Sequence, residues 1–343
     1  MNQGSDVLTA ANRVVDDSPA GNLPSLAELM TAINFTAKRL HRSYESNDRG
    51  DVATYIPELA KVDYRLFGIA VTAVDGTQVV VGDADHDFTI QSCSKPFIFG
   101  MALQQLGRQE VLRRIGVEPS GDPFNSIIKL DESGRPHNPC INAGAICASS
   151  MIPGDTLKQR VKNVMQVFGD YAGQSVKIDK TVYESERATG HRNRAIGELM
   201  IDSGAMPEPL DLTLDTYFQQ CSILTTARQL SVMGATLAGG GANPLTGRQA
   251  IDPSFVRDVL TVMLTCGMYD WAGQWAYEVG IPAKSGVGGG IVAVVPGLLG
   301  IGVFSPRLDK QGNSVRGVQV CRDLARLFNF HILGETIARV RKS

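Results

Sequence analysis

Residues 91–97, Gln91-Ser92-Cys93-Ser94-Lys95-Pro96-Phe97, close a short strand-like run at 88–90 and open an apolar segment that reaches Leu103. The stretch contains Ser-x-x-Lys. A serine hydroxyl is a weak nucleophile near neutral pH, but an amine three residues later on the same face of a helical turn can take its proton. This requires burial or a second cation to keep the amine neutral. The string is also typical of an ordinary helix start, so its meaning depends on the rest of the chain.

The strand and helix patterns on either side of this stretch indicate the fold class. Two apolar runs are joined through Asp75-Gly76, a strong hairpin signal. Helical patterns dominate from Phe97 to about Ala276. Strand patterns return at 281–285, 291–295 and 298–304, and a last helical pattern follows at 315–328. We therefore predict an α+β fold with one antiparallel sheet built from both ends of the chain, flanked by N- and C-terminal helices and carrying an inserted all-helical subdomain.

One large folded unit behind a short tail accounts for the length of 343 residues. Residues 1–22 are predicted to be a loosely ordered tail, since apolar residues are sparse there. The folded unit covers 23–343, with a mixed α/β part at about 23–90 and 280–343 and a helical part at about 91–279. Small-molecule pockets form preferentially at such junctions, and Ser-x-x-Lys lies at the first crossing between the two parts.

Composition and charge exclude several classes of protein. The chain is 43% hydrophobic and 20% charged with a formal net charge of -2, and its charges are interspersed, which argues against nucleic acid or an anionic membrane as a partner. Residues 1–22 lack the charged and apolar regions of a secretory signal. The longest apolar runs are far shorter than the ~20 residues of a membrane helix. We predict a cytoplasmic protein.

The six cysteines lie far apart, without CxxC spacing or histidine partners. This distribution is typical of reduced thiols in a protein core and argues against a zinc site. We expect no metal and no organic cofactor.

Three further segments carry residues suited to a site. A late strand pattern ends in Lys284-Ser285-Gly286, where glycine lets a ligand approach the backbone and a free N–H can donate to an oxyanion. Together with Ser-x-x-Lys, it is similar to the Lys-Thr-Gly element of serine β-lactamases and penicillin-binding proteins. Asn142 precedes a run of small residues and can both donate and accept hydrogen bonds. Glu186 and the pair Arg192-Asn193 lie in a third segment, which is unusually polar for a stretch that leads into a helix.

Taken in order, these segments resemble the serine-dependent glutaminases, a family with a β-lactamase-like fold. The matching motifs run nearly from end to end of the chain: Tyr55-Ile56-Pro57, Gln91-Ser92-Cys93-x-Lys95-Pro96, Asn138-Pro139-x-x-Asn142-Ala143-Gly144-Ala145-Ile146, Ser185-Glu186-Arg187, Arg192-Asn193-x-Ala195-Ile196-Gly197, Tyr217-Phe218-Gln219-x-Cys221-Ser222, Cys266-Gly267-Met268-Tyr269-Asp270, Pro282-Ala283-Lys284-Ser285-Gly286-Val287 and Leu308-Asp309-Lys310-x-Gly312-Asn313-Ser314.

The resemblance implies an amidohydrolase that converts L-glutamine to L-glutamate and ammonia. Ser92 would attack the side-chain amide, while Lys95, assisted by Tyr269, would accept and return the proton. The backbone N–H groups of Ser92 and Val287 would hold the oxyanion. The family also implies that the chain forms a homodimer or a homotetramer.

The resemblance further implies a set of substrate-binding residues. Glu186 would take the substrate ammonium, and neutral donors would surround its carboxylate, as suits a zwitterionic ligand. The neutral residues are Asn142, Asn193 and Tyr217, with Tyr55 on a loop that covers the pocket and Gln91 orienting the substrate or that loop.

Two other nucleophiles stand beside Ser92. Ser94 is adjacent to Lys95 and points elsewhere on a helix, whereas Ser92 at three residues' distance can face it, so Ser92 is preferred. Cys93 lies two positions from Lys95 and has no matching histidine pattern. Because Pro96 disfavours α geometry at the residue before it, the first turn is expected to be irregular.

Two rival functions differ from the glutaminase interpretation. A β-lactamase or penicillin-recognising peptidase acts outside the cytoplasm and would need a signal segment, which the N-terminal pattern does not provide. A ligand-binding or regulatory protein would keep the pocket without turnover, and the presence of Ser92, Lys95 and Tyr269 argues against it.

Overall fold

The computed structural model describes residues 25–54, 56–120, 130–132, 134–207 and 209–334. The tail predicted at residues 1–22 lies outside these ranges. The remaining ranges contain the whole of the predicted sheet.

A five-stranded antiparallel sheet forms the centre of the mixed part. Its spatial order is β2-β1-β8-β7-β6. The strands are β1 (Gly68–Ala73), β2 (Gln78–Gly82), β6 (Ala283–Ser285), β7 (Gly290–Val295) and β8 (Leu299–Phe304). The N-terminal strand β1 pairs with the C-terminal strand β8 in antiparallel register, Gly68 opposite Phe304. The prediction of a sheet assembled from both ends of the chain is confirmed.

The hairpin between β1 and β2 turns at Asp75-Gly76, as predicted. Gly76 has a φ of 89° and donates its N–H to Ala73 O at 3.0 Å. Asp75 Oδ1 accepts the N–H of Thr77 at 2.9 Å, so side chain and backbone close the turn together.

Two helices cover one face of the sheet, which we call the rear face. They are α1 (Leu26–Tyr44) and α11 (Val315–Leu327). Ser25 and Glu28 form the capping box that their spacing predicts. Aliphatic side chains from both helices pack on β1, β7 and β8 in one apolar cluster.

The other face carries the helical part. Its helices are α2 (Lys95–Arg114), α3 (Asn142–Ser150), α4 (Leu157–Ala172), α5 (Lys180–Thr189), α6 (His191–Asp202), α7 (Leu210–Cys221), α8 (Ala227–Ala238) and α9 (Pro253–Cys266). The short helix α10 (Ala272–Glu278) follows α9 and contributes Ala272 and Trp275 to the apolar cluster on the rear face. Helix α8 lies directly against β1, β7 and β8. The other helices build outward from it, around a second apolar cluster.

One strand of a small second sheet lies within the strand-like run expected at 88–90, whereas its other two strands and their pairing were not predicted. This sheet consists of β3 (Phe88–Thr89), β5 (Ile223–Thr225) and β4 (Lys177–Ile178), in the order β3-β5-β4. The helical part is therefore not purely helical. Strands of two or three residues are too short to show the alternation of apolar and polar residues that predicts a strand. Ile90 N donates to Ile223 O at 2.8 Å, which fixes the chain immediately before Ser92.

None of the helices among the described residues has the length and apolar character needed to cross a membrane.

Candidate active site

The Ser-x-x-Lys stretch forms a tight turn that runs directly into a helix. Gln91–Ser94 is a single 3₁₀ turn, and α2 begins at Lys95. The expected irregularity is present as this 3₁₀ turn. However, Lys95 itself is α-helical, with φ −59° and ψ −45°, so the expectation that Pro96 would displace it is wrong. Pro96 lies in the first turn of α2, where a missing N–H leaves no hydrogen bond unmade.

A 3₁₀ turn aligns Ser92 with Lys95, because residues i and i+3 eclipse in that geometry. Lys95 N donates to Ser92 O, which closes the turn. The Lys95 side chain is buried, and its Nζ donates to Asn142 Oδ1 at 2.8 Å and to Cys140 O at 3.3 Å. The lysine is thus held by neutral oxygens beside the turn that carries Ser92.

The environment of Lys95 favours its neutral form. Burial, followed by the charge of Lys284, lowers the pKa of the Lys95 ammonium to about 7. Lys284 on β6 is itself fully buried, with its Nζ donating to Ser285 O at 2.6 Å. A large fraction of Lys95 is therefore an unprotonated amine near neutral pH, as a general base requires.

Tyr269 contacts the candidate nucleophile directly. A side-chain hydrogen bond joins Ser92 and Tyr269, and the Tyr269 hydroxyl donates to Ser285 O at 2.9 Å. Burial raises the pKa of the Tyr269 hydroxyl, which therefore stays protonated and can relay a proton. The Lys284 ammonium lies 4.1 Å from the Tyr269 ring centroid.

The two alternative nucleophiles are engaged elsewhere. Ser94 is fully buried, donates to Gln91 O at 2.7 Å and accepts from Gln220 Nε2 at 3.0 Å. The Cys93 thiol faces Lys284 O at 3.3 Å, and burial raises its pKa to about 12, so it is not a thiolate. These contacts favour Ser92.

A cavity of about 310 Å³ opens over Ser92. Its lining contains six of the predicted site residues, Gln91, Ser92, Asn142, Glu186, Asn193 and Tyr217. Tyr55 lies outside the described residues. The volume is appropriate for one small polar molecule, since typical ligand pockets begin at roughly 300 Å³.

A buried carboxyl forms one end of the cavity. Glu186 on α5 accepts a hydrogen bond from Gln91 Nε2 at 2.7 Å. Burial raises the pKa of the Glu186 carboxyl to about 8, against the opposing effects of Gln91 and Lys95. A cationic group entering the cavity would favour the ionised carboxylate.

Two asparagines are linked in the cavity wall. Asn142 Nδ2 donates to Asn193 Oδ1 at 3.0 Å, while Asn142 Oδ1 accepts from Lys95. Asn142 begins α3 and Asn193 lies in the first turn of α6. The cavity wall is thereby coupled to Lys95 by neutral hydrogen bonds.

Val287 does not line this cavity. It is buried in the β6–β7 turn and packs with Tyr269 and Leu308. A Cβ at Gly288 would meet Thr89 O at 2.7 Å, so only glycine lets this turn press against the segment before Ser92. Val287 also lines two neighbouring clefts.

Two of the candidate residues have unusual backbone conformations. Gln91 has a φ of 49° and Tyr269 a φ of 58°, in the left-handed region that non-glycine residues rarely adopt. Each such residue costs on the order of 1–3 kcal/mol, and such strain concentrates at functional sites. No local sequence signal announces either conformation.

Sequence reasoning did not assign Ile56, Thr189, Gly190 and Cys221, which also line the cavity. Their proximity to the quoted motifs was the available signal. Arg192, noted only as part of a polar segment, lines it as well. Within the described ranges, no group of three or more His, Cys, Asp and Glu residues could hold a metal ion.

Comparisons with known proteins identify relatives of this chain. The glutaminase family profile matches residues 50–333. The glutaminase of Trichormus variabilis is 52% identical over 304 residues, covering 89% of this chain and 90% of the relative. The glutaminase of Microcystis aeruginosa is 50% identical over 293 residues, covering 85% and 87%. The solved structure of the probable glutaminase ybaS superposes with a TM-score of 0.85 at 38% identity, covering 88% of this chain and 97% of that one. Mglu in its glutamate form has a TM-score of 0.85 at 41% identity, covering 89% and 71%.

Proposed function

The chain belongs to the glutaminase family and hydrolyses L-glutamine to L-glutamate and ammonia, and we propose that it does so through an acyl-enzyme on Ser92. The observation that carries this mechanism is the combination of a serine hydroxyl opening into a small polar cavity with a buried Lys95 whose pKa is about 7. A lysine in that state can act as a base without a histidine.

In the acylation step, Lys95 takes the Ser92 proton and Oγ attacks the side-chain amide carbon of glutamine. Tyr269, hydrogen-bonded to Ser92, passes the proton between the hydroxyl, the lysine and the leaving nitrogen. The tetrahedral oxyanion accepts hydrogen bonds from the N–H groups of Ser92 and Val287. The carbon–nitrogen bond then breaks, the nitrogen departs as ammonia with the proton, and a glutamyl ester remains on Ser92.

In the deacylation step, a water molecule replaces ammonia. Lys95 takes one proton from the water, whose oxygen attacks the ester carbon, and returns that proton to Ser92 Oγ as the ester bond breaks. The products are L-glutamate and the regenerated hydroxyl. No cofactor enters this proposal.

We assign substrate binding to the two ends of the cavity. Glu186, held by Gln91, binds the α-ammonium as an ionised carboxylate. Asn142, Asn193 and Tyr217 surround the α-carboxylate. Tyr55 is assigned to the covering loop on the resemblance alone.

Ammonia release from L-glutamine, L-asparagine and a chromogenic β-lactam tests this proposal. We expect rapid release from glutamine and, after quenching, an adduct with the mass of one glutamyl group on the peptide containing Ser92. An adduct on Ser94 or Cys93 would overturn the assignment. Faster hydrolysis of the β-lactam than of glutamine would favour a penicillin-recognising enzyme.

We also propose that the protein works in the cytoplasm as a homodimer or homotetramer. All six cysteines are free and buried, which suits a reducing compartment. The oligomeric state rests on the family resemblance. Light scattering during size-exclusion chromatography measures it, and a monomeric mass at micromolar concentration would contradict it.

A further inference from the structure

The junction between α5 and α6 forms one wall of the substrate cavity. Helix α5 ends at Thr189 and α6 begins at His191, with Gly190 alone between them. A Cβ at Gly190 would lie 2.5 Å from Phe218 Cζ, so the glycine permits a close approach to α7. The first turn of α6 is thereby fixed against the cavity, and Arg192 lies within it.

Arg192 differs from the two arginines nearest to it in sequence. Arg187 forms an ion pair with Asp215 at 2.9 Å, and Arg194 stacks over the Phe218 ring and donates to Arg187 O. Neither lines the cavity, whereas Arg192 does. Among the described residues of the lining, Arg192 is the one basic side chain and Glu186 the one carboxylic acid.

The rest of the lining offers only neutral partners to a substrate carboxylate. Asn142 already accepts from Lys95 and donates to Asn193, which occupies part of its hydrogen-bonding capacity. Lys95 lies behind Asn142 and is partly neutral near pH 7. A carboxylate surrounded by neutral amides would lose hydration without a compensating positive charge. Arg192 can supply that charge at the mouth of the cavity, where its side chain remains exposed.

We infer that Arg192 is a substrate-binding and specificity-determining residue, which pairs with the α-carboxylate of glutamine and so selects the free amino acid over glutamine whose α-carboxyl is amidated or in a peptide bond. The inference rests on the proposed function of the cavity. Glu186 and Arg192 then recognise the two charges of the zwitterion from neighbouring helices. A peptide-bound glutamine lacks both charges, and the α-amide lacks the one that Arg192 requires.

The expected effect is moderate because Arg192 is solvent-exposed. An exposed ion pair contributes less binding energy than a charge-assisted hydrogen bond in a buried site. An intermediate position predicts a rise in KM of about three- to tenfold on loss of the charge. Turnover should change little, because the α-carboxylate is several bonds away from the reacting amide.

The test measures kcat and KM for L-glutamine and for L-glutamine α-amide in the full-length enzyme and in R192Q, R192K and the control R194Q. For glutamine, we expect R192Q to raise KM with kcat nearly unchanged, R192K to restore most of the affinity, and R194Q to match the wild type. For the α-amide, R192Q should match the wild type, so that the preference for the free carboxylate shrinks. The wild-type kcat/KM for glutamine should also fall more steeply with ionic strength than that of R192Q.

A KM for glutamine within twofold of the wild type in R192Q would overturn the inference. Equal losses for glutamine and its α-amide would also overturn it, since they would indicate a structural role. Failure of the proposed function has a different signature: the wild-type protein would release no ammonia from glutamine, or an adduct would form elsewhere than on Ser92.

Discussion

The rear face of the sheet and the junction around Ser92, where the sheet meets the helical part, bury different kinds of side chain. Behind the sheet, α1 and α11 pack buried aliphatic residues such as Ile33 and Leu324 against β1 and β8. At the junction, by contrast, the protein buries Lys95, Lys284 and Glu186. Two residues there, Gln91 and Tyr269, also adopt left-handed backbone conformations.

The rear face stabilises the fold, whereas the buried charged groups near Ser92 destabilise it. Burying an aliphatic side chain stabilises the fold by ~1.5–3 kcal/mol, whereas a buried lysine with a lowered pKa opposes folding near neutral pH. The sign is clear for Lys95. Its pKa in the folded protein, about 7, lies below the ordinary lysine value of 10.5. The destabilisation is therefore fully present below pH 7, and it decreases as the pH rises from 7 toward 10.5. Apolar burial on the rear face therefore offsets part of the destabilisation that the buried Lys95 causes.

The largest expected effect comes from removing the nucleophile. Ser92→Ala should lower kcat by about 10⁴-fold or more, because no acyl-enzyme can form. Ser94→Ala is the matched control: it leaves Gln220 without its acceptor and should lower the free energy of unfolding by ~1–3 kcal/mol, with kcat within about tenfold of the wild type. Ammonia release measures kcat, and thermal unfolding measures the stability of the two variants. The reverse pattern of activities would transfer the role to Ser94.

A smaller loss should follow from neutralising the buried acid. Glu186→Gln removes the counter-charge of the substrate ammonium and should raise KM about 10- to 100-fold, as expected for a charge-assisted hydrogen bond. Glu184→Gln, two residues away and exposed, should leave KM unchanged. Steady-state kinetics at pH 8 compare the two. A KM for the Glu186 variant equal to that of the wild type would place the ammonium elsewhere.

The pH dependence should shift when the second buried lysine is removed. In the wild type, kcat/KM should rise with pH as Lys95 loses its proton near pH 7 and Glu186 ionises near pH 8. Lys284→Met removes a positive charge that disfavours protonation of Lys95, so the Lys95 pKa should rise. The acidic limb should then move by about one pH unit to higher pH, lowering activity at pH 7 about tenfold.

The matched control for this charge is Lys158→Met, exposed on α4, which should leave the pH profile unchanged. An equal loss at every pH in Lys284→Met would indicate a packing role for Lys284 and contradict the electrostatic one.

The smallest effect on turnover should come from the rear face. Leu324→Ala removes a side chain that is 1% exposed and should lower the free energy of unfolding by ~2–5 kcal/mol. The exposed Leu245→Ala should change stability by less than ~0.5 kcal/mol. At 25 °C both variants should keep wild-type kcat/KM. A changed kcat/KM in the folded Leu324 variant would show that the two regions are not separable.

Much of the rear region was readable from sequence because its signals are local. The Asp75-Gly76 turn and the Ser25 capping box both occur where their patterns predicted, and the C-terminal helical pattern at 315–328 forms α11. Helix α3 was missed since its residues are small and nearly all buried, which removes the amphipathic period. Two strands of the small sheet, Lys177–Ile178 and Ile223–Thr225, were missed because they are only two and three residues long.

At the junction, sequence supplied the residue types and the resemblance supplied their grouping. The Ser92–Lys95 spacing was informative because a tight turn aligns residues three apart. Nothing local indicated that Glu186 on α5 would meet Gln91, or that Arg192 would face the same cavity as Ser92. These contacts join segments about a hundred residues apart, and only the packed helices define them.

The sequence alone therefore determined the α+β class and the antiparallel sheet built from both ends, and it made Ser92 rather than Ser94 the predicted nucleophile. It did so through hydrophobic period, turn chemistry and helical spacing, which act between neighbouring residues. Only the tertiary structure decided that Lys95 lies fully buried beside Lys284 and that Tyr269 contacts Ser92. The physical reason is that a pKa and a nucleophile's environment depend on the dielectric and charges in three dimensions, and no local pattern specifies those.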